Sequence, residues 1–224
     1  MVIECISQLQ KRMRLVRVFY CFEHNLLLRH MLEALGFQVR GLAARVLWNA
    51  PDGAVPPRNH MLLQVDLEGC SYLVDAGFGG VTLTGPLRLE PDIEQPTPHE
   101  TFRVLKVNDE FLVQVHIRDE WVSLYRFGLS EHFLPDYEIA SWYLSTHPES
   151  RFVNGLLAAR AGKDCRYALR NNRLTVYHNL GEMERRIVPN VQELRETLEN
   201  VFRITLPDVP QLETALMKAT ASTE

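Results

Sequence analysis

Cys21 stands in the run Arg17-Val-Phe-Tyr-Cys21-Phe-Glu-His-Asn25, and His60 and Asp75 follow it in that order. A thiol, an imidazole and a carboxylate are the three groups that nucleophilic cysteine chemistry needs. The carboxylate orients the ring, the ring moves the proton, and the thiolate attacks. Cys21 also opens an apolar helical pattern, so the sulfur meets the positive end of a helix dipole. Helix N-termini and neighbouring imidazolium groups bring thiol pKa values from ~8.5 into the range of roughly 3.5–7.5, which makes a nucleophile at neutral pH. On the residues alone the alternative stands beside this reading: a cysteine in an apolar run is also a small buried hydrophobe.

The elements that must hold these groups can be read from the pattern. From Cys21 to Leu35, apolar residues recur at Phe22, Leu26, Met31 and Leu35, and Gly36 stops the pattern as a glycine past a helix end does. Gln38 to Trp48 reads as a strand, and the Pro- and Gly-containing stretch Asn49–Asn59 as a loop. His60–Leu67 and Ser71–Asp75 read as a hairpin turning near Leu67–Gly69. Period-2 geometry then sets His60 opposite Asp75, Leu62 opposite Leu73 and Met61 opposite Val74, and puts histidine and aspartate on one face.

Further strands are expected at Thr101–Val107, Glu110–Arg118 and Trp121–Phe127, with turns at Asn108-Asp109 and Asp119-Glu120, which suggests a β meander or small barrel. Ala140–Ala161 reads as partly helical. Strands return at Cys165–Leu169, Arg173–His178 and Met183–Val188, followed by an amphipathic helix over Val191–Val201. Residues 3–15 read as a short helix, and the last twenty or so residues as a loosely attached tail. The order is helix, antiparallel sheet, then mixed α/β. No βαβ rhythm, GxGxxG or Walker-type loop favours a nucleotide fold.

Composition narrows the class. The 224 residues are 46% hydrophobic and 23% charged, ordinary for a soluble globular chain. The net charge is −4 and basic residues are scattered, which leaves no footprint for nucleic acid. The cluster Lys11-Arg12-Met13-Arg14 with Arg17 reads as a solvated face. No apolar run reaches the ~18–20 residues of a membrane span. Cys5, Cys21, Cys70 and Cys165 form no CxxC pair and no dense framework, so reduced thiols in a cytoplasm are expected, with Cys70 and Cys165 structural.

A second signal follows the aspartate. Asp75-Ala-Gly-Phe-Gly-Gly80 places three glycines where a ligand could approach the backbone, although a plain turn explains them equally well.

Together these residues resemble the arylamine N-acetyltransferases, bacterial members above all. The family pattern R-G-G-x-C-F-E-x-N is similar to Arg17–Asn25. The histidine segment resembles Asn59-His60-Met-Leu-Leu-Gln-Val65, the aspartate segment Tyr72-Leu-Val-Asp75-Ala-Gly-Phe-Gly-Gly80, and Thr82-Leu-Thr-Gly-Pro-Leu87 the stretch that follows in bacterial members. The resemblance implies an α+β fold: a partial helical segment (1–36) carrying the nucleophile, a central antiparallel β-barrel (37–135) and a C-terminal α/β lid (136–224), around a cysteine-protease-like Cys-His-Asp core. It implies ping-pong acetyl transfer from acetyl-coenzyme A as cosubstrate, without a metal, through Cys21 to an arylamine, hydrazine or arylhydroxylamine. His60 is then the general base and Asp75 its orienting group. Phe78 and Val46 match positions bordering the acceptor pocket, and Gly77 and Gly79 match backbone where coenzyme A comes in.

The chain departs from the family in two places. Val18 and Phe19 replace the two glycines, and the helical bundle that precedes the motif in the family, with the glutamate that partners the arginine matched by Arg17, has no counterpart here. An N-terminally shortened enzyme of reduced activity is therefore expected. The alternatives are an impaired remnant that binds coenzyme A or a partner without turnover, and a related amide-forming acyltransferase. Neither nucleic acid nor membrane is expected as a partner, and oligomeric state is left open.

Overall fold

The structure, a computed structural model, describes residues 20–178 and 182–221. The expected helix over 3–15, Cys5, the basic cluster and the Arg17-Val-Phe segment lie outside the described residues. By contact, the described chain groups into two units, 20–78 with 82–143 and 79–81 with 144–221. The three-way division at 36 and 135 differs by setting the first helix apart from the sheet, and is kept as a proposal about domain organisation.

In the first unit, helix α1 (Cys21–Ala34) buries Phe22, Asn25, Leu28 and Leu32 along one face. The spacing of three and four residues is what a helix lying on a sheet requires. Its end is a Schellman turn: Gly36 at φ +89° donates to Glu33 O at 2.9 Å, and Phe37 N donates to Leu32 O at 3.1 Å.

Eight antiparallel strands follow: β1 (Gln38–Val46), β2 (Arg58–Leu67), β3 (Cys70–Val74), β4 (Leu87–Arg88), β5 (Glu94–Pro96), β6 (Thr101–Val107), β7 (Glu110–Ile117) and β8 (Glu120–Phe127). They join in the order β4-β3-β2-β1-β8-β7-β6-β5 as a nearly closed barrel in a mixed α+β fold. The two short edge strands were not foreseen. A side chain bridges them: Gln95 accepts from Arg88 N at 2.7 Å and donates to Arg88 O at 3.0 Å. One amide thereby satisfies edge groups that would otherwise invite another strand.

The β2–β3 hairpin corrects the expected register. Glu68 and Gly69 both take positive φ, 50° and 78°, as a two-residue type I′ loop requires, and Leu67 pairs with Cys70. Leu63 therefore faces Val74 and Gln64 faces Leu73, two residues away from the expected pairing. A shift of two preserves which side chains share a face. The β7–β8 turn is likewise at Arg118-Asp119, φ 50° and 64°, one residue before the expected place. Helix α2 (Leu134–Thr146) starts earlier than the expected helical stretch and ends well before it.

The second unit holds α3 (Arg151–Asn154), the antiparallel sheet β9 (Leu157–Ala161), β10 (Cys165–Arg170), β11 (Arg173–His178) and β12 (Met183–Ile187), then α4 (Val191–Glu196) and α5 (Pro210–Ala221). A π-helical turn, Thr197–Val201, interrupts the expected helix over Val191–Val201. The expected loose tail is α5 instead. Leu216 and Ala219 pack with Leu169, Leu174, Leu194, Leu198 and Phe202 in the core of this unit. Its start at a proline and its apolar residues at 212, 216 and 219 are ordinary helix signals. No helix among the described residues is long and apolar enough to cross a membrane.

If α5 is part of this core, Leu216→Ala costs about 2–5 kcal/mol, the range for truncating a buried leucine. Urea unfolding measures it, and a change within that of a surface substitution would return the segment to a tail.

Candidate active site

Asp75 lies just beyond β3, so His60 is not its direct cross-strand partner. The two still share a face, and a diagonal of two residues is within reach of a long ring and a carboxylate. His60 Nε2 meets Asp75 Oδ2 at 2.7 Å, with side-chain exposures of 4% and 0%. That bond occupies Nε2 and leaves Nδ1 as the ring nitrogen for another partner.

Cys21 is the first residue of α1, after Tyr20, whose side chain makes no capping hydrogen bond. Its Sγ is 3.8 Å from Asn59 O, beside His60 in the chain. Cys21 also favours the charged form of the His60 ring electrostatically. Burial, the largest single influence on His60, disfavours the imidazolium. The charge and hydrogen bond of Asp75, with the influence of Cys21, together outweigh it and push the His60 pKa up to about 10. Burial likewise works to raise Asp75. The charge and hydrogen bond of His60, with donors from Asn25 and Gly77, hold it below the usual carboxylate range.

Two residues here were not singled out from sequence. Asn25, fully buried one turn after Cys21, donates to Met61 O at 2.7 Å and to Asp75 Oδ1 at 3.0 Å, and accepts from Ala76 N at 3.0 Å. It fastens α1, β2 and the aspartate turn to one another. Its signal was present, a polar residue on the buried stripe of an amphipathic helix. Tyr125, on β8, is the other. Its ring centroid is 5.2 Å from those of His60 and Phe78, which are also 5.2 Å apart. Burial first and the Asp75 charge second raise its pKa well above the ordinary value. Its buried hydroxyl falls short of a well-aligned hydrogen bond to any described residue. Nothing local in the sequence marks Tyr125, because it reaches the site by strand register.

The remaining expected residues divide. Phe78 meets His60 edge-on. Val46 is the Cα partner of Tyr125 and lies two residues from Ala44, the partner of His60, so it shares the face of the ring. Gly77 is in contact with Cys21: a Cβ there would stand 2.5 Å from Cys21 Cα and 3.0 Å from Cys21 Cβ. Its N–H also donates to Asp75 Oδ1 at 2.8 Å. Gly79 takes φ +93°, which favours glycine, and belongs to the second unit.

An N-acetyltransferase family profile matches residues 12–210. An arylamine N-acetyltransferase of Mycobacterium tuberculosis is 45% identical over 193 residues, 85% of this chain and 68% of that protein. The chain belongs to the arylamine N-acetyltransferase family. An arylamine N-acetyltransferase of Escherichia coli is 38% identical over 84% of this chain and 67% of its own length. Among solved structures, the Mycobacterium marinum arylamine N-acetyltransferase in complex with CoA superposes with TM-score 0.87 at 38% identity, covering 97% of this chain and 81% of that one. In this member of the arylamine N-acetyltransferases, the buried His60–Asp75 pair and the sulfur at the head of α1 lie within a single unit.

Gly77→Ala should displace Cys21 and lower alkylation and acetylation at that sulfur by about 10²-fold, the scale for ångström misplacement of a reacting group. Rates equal to those of the unchanged chain would show that the contact gives way harmlessly. The pair also sets a pH signature. His60 has its folded pKa raised from 6.5 to about 10, so its stabilisation is complete below about pH 6.5 and fades as the pH climbs toward 10. The stability margin over His60→Gln, from urea unfolding across that window, should narrow. A constant margin would refute the charged pair.

Proposed function

We propose that the chain transfers acetyl groups from acetyl-coenzyme A to arylamines, hydrazines or arylhydroxylamines through Cys21. The observation that carries the reading is the fully buried carboxylate on His60 Nε2, with the Cys21 sulfur at the head of α1, 3.8 Å from the Asn59 carbonyl that precedes this ring in the chain. Family membership names the reaction class. The CoA complex of the Mycobacterium marinum protein supports the donor.

The chemistry follows from the geometry. The sulfur, its proton held on His60, attacks the thioester carbonyl. The tetrahedral adduct expels the coenzyme A thiolate, which leaves with that proton, and acetyl-Cys21 remains. The amine then attacks the new thioester while His60 Nδ1 takes its proton. Collapse releases the acetylated amine and returns the sulfur. Asp75 stays ionised and steadies the imidazolium at both stages without accepting its proton. The dipole of α1 favours negative charge on the sulfur as it leaves.

Phe78 and Val46, with the buried Tyr125 ring against Phe78, offer an apolar surface beside the base, suited to an aromatic amine that is recognised by shape. Gly77 and Gly79 remain proposed backbone elements for the donor. Three thiols, Cys21, Cys70 and Cys165, are free among the described residues, which suits a reducing compartment such as the cytoplasm.

Intact-mass spectrometry after incubation with acetyl-coenzyme A tests the reading. One acetyl adduct should form, vanish in Cys21→Ser, and be discharged by a simple arylamine with release of its amide. An unmodified mass, or an adduct that persists in Cys21→Ser, would sink it.

A further inference from the structure

Thr82 closes the turn that carries Asp75 and Phe78. The residue is buried, at 5% exposure. Its Oγ1 accepts from the Phe78 N–H at 3.2 Å and donates to the Asp75 carbonyl oxygen at 3.0 Å. A hydroxyl can donate and accept at once, and here it uses both capacities on the backbone of one turn. It thereby fixes the spacing between two residues of the site. Asp75 Oδ2 holds His60 at 2.7 Å, and the Phe78 ring meets His60 edge-on with centroids 5.2 Å apart.

The glycines of this turn cannot stiffen it. Residues 75–82 include Gly77, Gly79 and Gly80, and glycine backbone has the widest conformational freedom. A Cβ at Gly77 would stand 2.5 Å from Cys21 Cα, and Gly79 takes φ +93°, so neither position accepts a stiffer residue without strain. Rigidity must come from hydrogen bonds, and these divide between the two site residues. The Asp75 carboxylate has donors of its own in His60, Asn25 and the Gly77 N–H. The Phe78 ring packs on His60 and Tyr125, but apolar contact is non-directional and leaves a ring free to shift. The Phe78 backbone is held by Thr82.

We infer that Thr82 is a positioning residue for the acceptor: its hydroxyl holds the Phe78 ring where an aromatic amine packs beside His60, while the His60–Asp75 pair stands without it. The inference deepens the proposed function and rests on it for the class of acceptor. Valine has nearly the shape of threonine but lacks the hydroxyl. Thr82→Val therefore takes away the partner of the Phe78 N–H and of the Asp75 carbonyl, a costly loss in a buried turn. The turn relaxes, and the ring moves with it. An acceptor that packs on the ring loses a contact. An acceptor without a ring, such as methylhydrazine, loses nothing.

Steady-state kinetics of the full chain test this. Thr82→Val should raise KM for a simple arylamine by about tenfold, the scale of one apolar contact in a pocket. KM for methylhydrazine and the rate of acetyl-Cys21 formation should not change. Thr82→Ser, which keeps the hydroxyl, should restore the arylamine KM. On a Phe78→Ala background Thr82→Val should add nothing, because its effect passes through that ring. Thr82→Ala makes the same comparisons where the valine variant does not fold. Alkylation of Cys21 reads the ring without acetyl transfer: the preference for N-phenyliodoacetamide over iodoacetamide should fall in Thr82→Val and return in Thr82→Ser. An unchanged arylamine KM and alkylation preference, an equal loss for methylhydrazine, slowed formation of acetyl-Cys21, or an undiminished Thr82 effect on the Phe78→Ala background each overturns the assignment. A missing acetyl adduct, with the alkylation preference behaving as stated, would count against acetyl transfer and leave the role of Thr82 standing.

Discussion

A carboxylate with no exposure to water, Asp75, holds the architecture of this site together. An ionised group in such a place is costly unless donors replace its hydration. Here both oxygens are served: Oδ2 by His60, and Oδ1 by Asn25 and the Gly77 N–H. The donors come from three parts of the chain, β2, α1 and the aspartate's own turn. The charge can be buried only when all three are in place, and taking one partner from a buried pair costs on the order of 3–5 kcal/mol. The constellation that would perform the chemistry is therefore also a condition for docking α1 onto the sheet. Asn25 extends the same logic by reaching Met61 O and Ala76 N, which leaves the head of α1 little freedom to slide.

The surroundings of the pair are as consequential as its own bond. His60, Phe78 and Tyr125 form a triangle of rings beside it. Apolar neighbours lower the local dielectric and strengthen the attraction between imidazolium and carboxylate. Tyr125 carries a hydroxyl into this wall, and its raised pKa keeps it a neutral phenol. A phenolate there would put a second negative charge beside Asp75. As a neutral ring it serves as packing for His60, and its register with Val46 carries the apolar surface on to the next strand.

The sequence disclosed the groups and much of the scaffold, but not the contacts between distant elements. The helix from Cys21 was legible from its apolar spacing and from Gly36. The three meander strands were legible from alternation. Parity of alternation also placed His60 and Asp75 on one face, even though the hairpin register was wrong by two residues, because a shift of two leaves faces unchanged. What failed were features set by few residues or by partners far away. The turn at Glu68-Gly69 needed two positive φ values, one of them at a glutamate, which composition does not announce. β4 and β5 are two and three residues long and are bridged by the side chain of Gln95, so no periodicity exists to detect. Tyr125 joins the site from β8, two strands from the β2 that carries His60. The C-terminal helix was passed over although its apolar spacing is plain.

One irregularity links the reacting groups to the surface beside them. An unbroken β2 would carry its side chains in strict alternation through residues 58 to 60, so Arg58 and His60 would share a face. The bulge at Asn59 sets two residues of β2 against Arg45 alone, while Ala44 still faces His60. Arg58 thereby joins Arg45 on the other side from the imidazole, and the Asn59 carbonyl is turned toward Cys21. A positive ladder on the same face as His60 would have put guanidinium charge next to an imidazolium, lowering the ring's affinity for its proton. Displaced by the bulge, the arginines leave His60 to its aromatic neighbours. A single inserted residue therefore keeps the guanidinium charges apart from the buried imidazolium while the Asn59 carbonyl stays beside the sulfur.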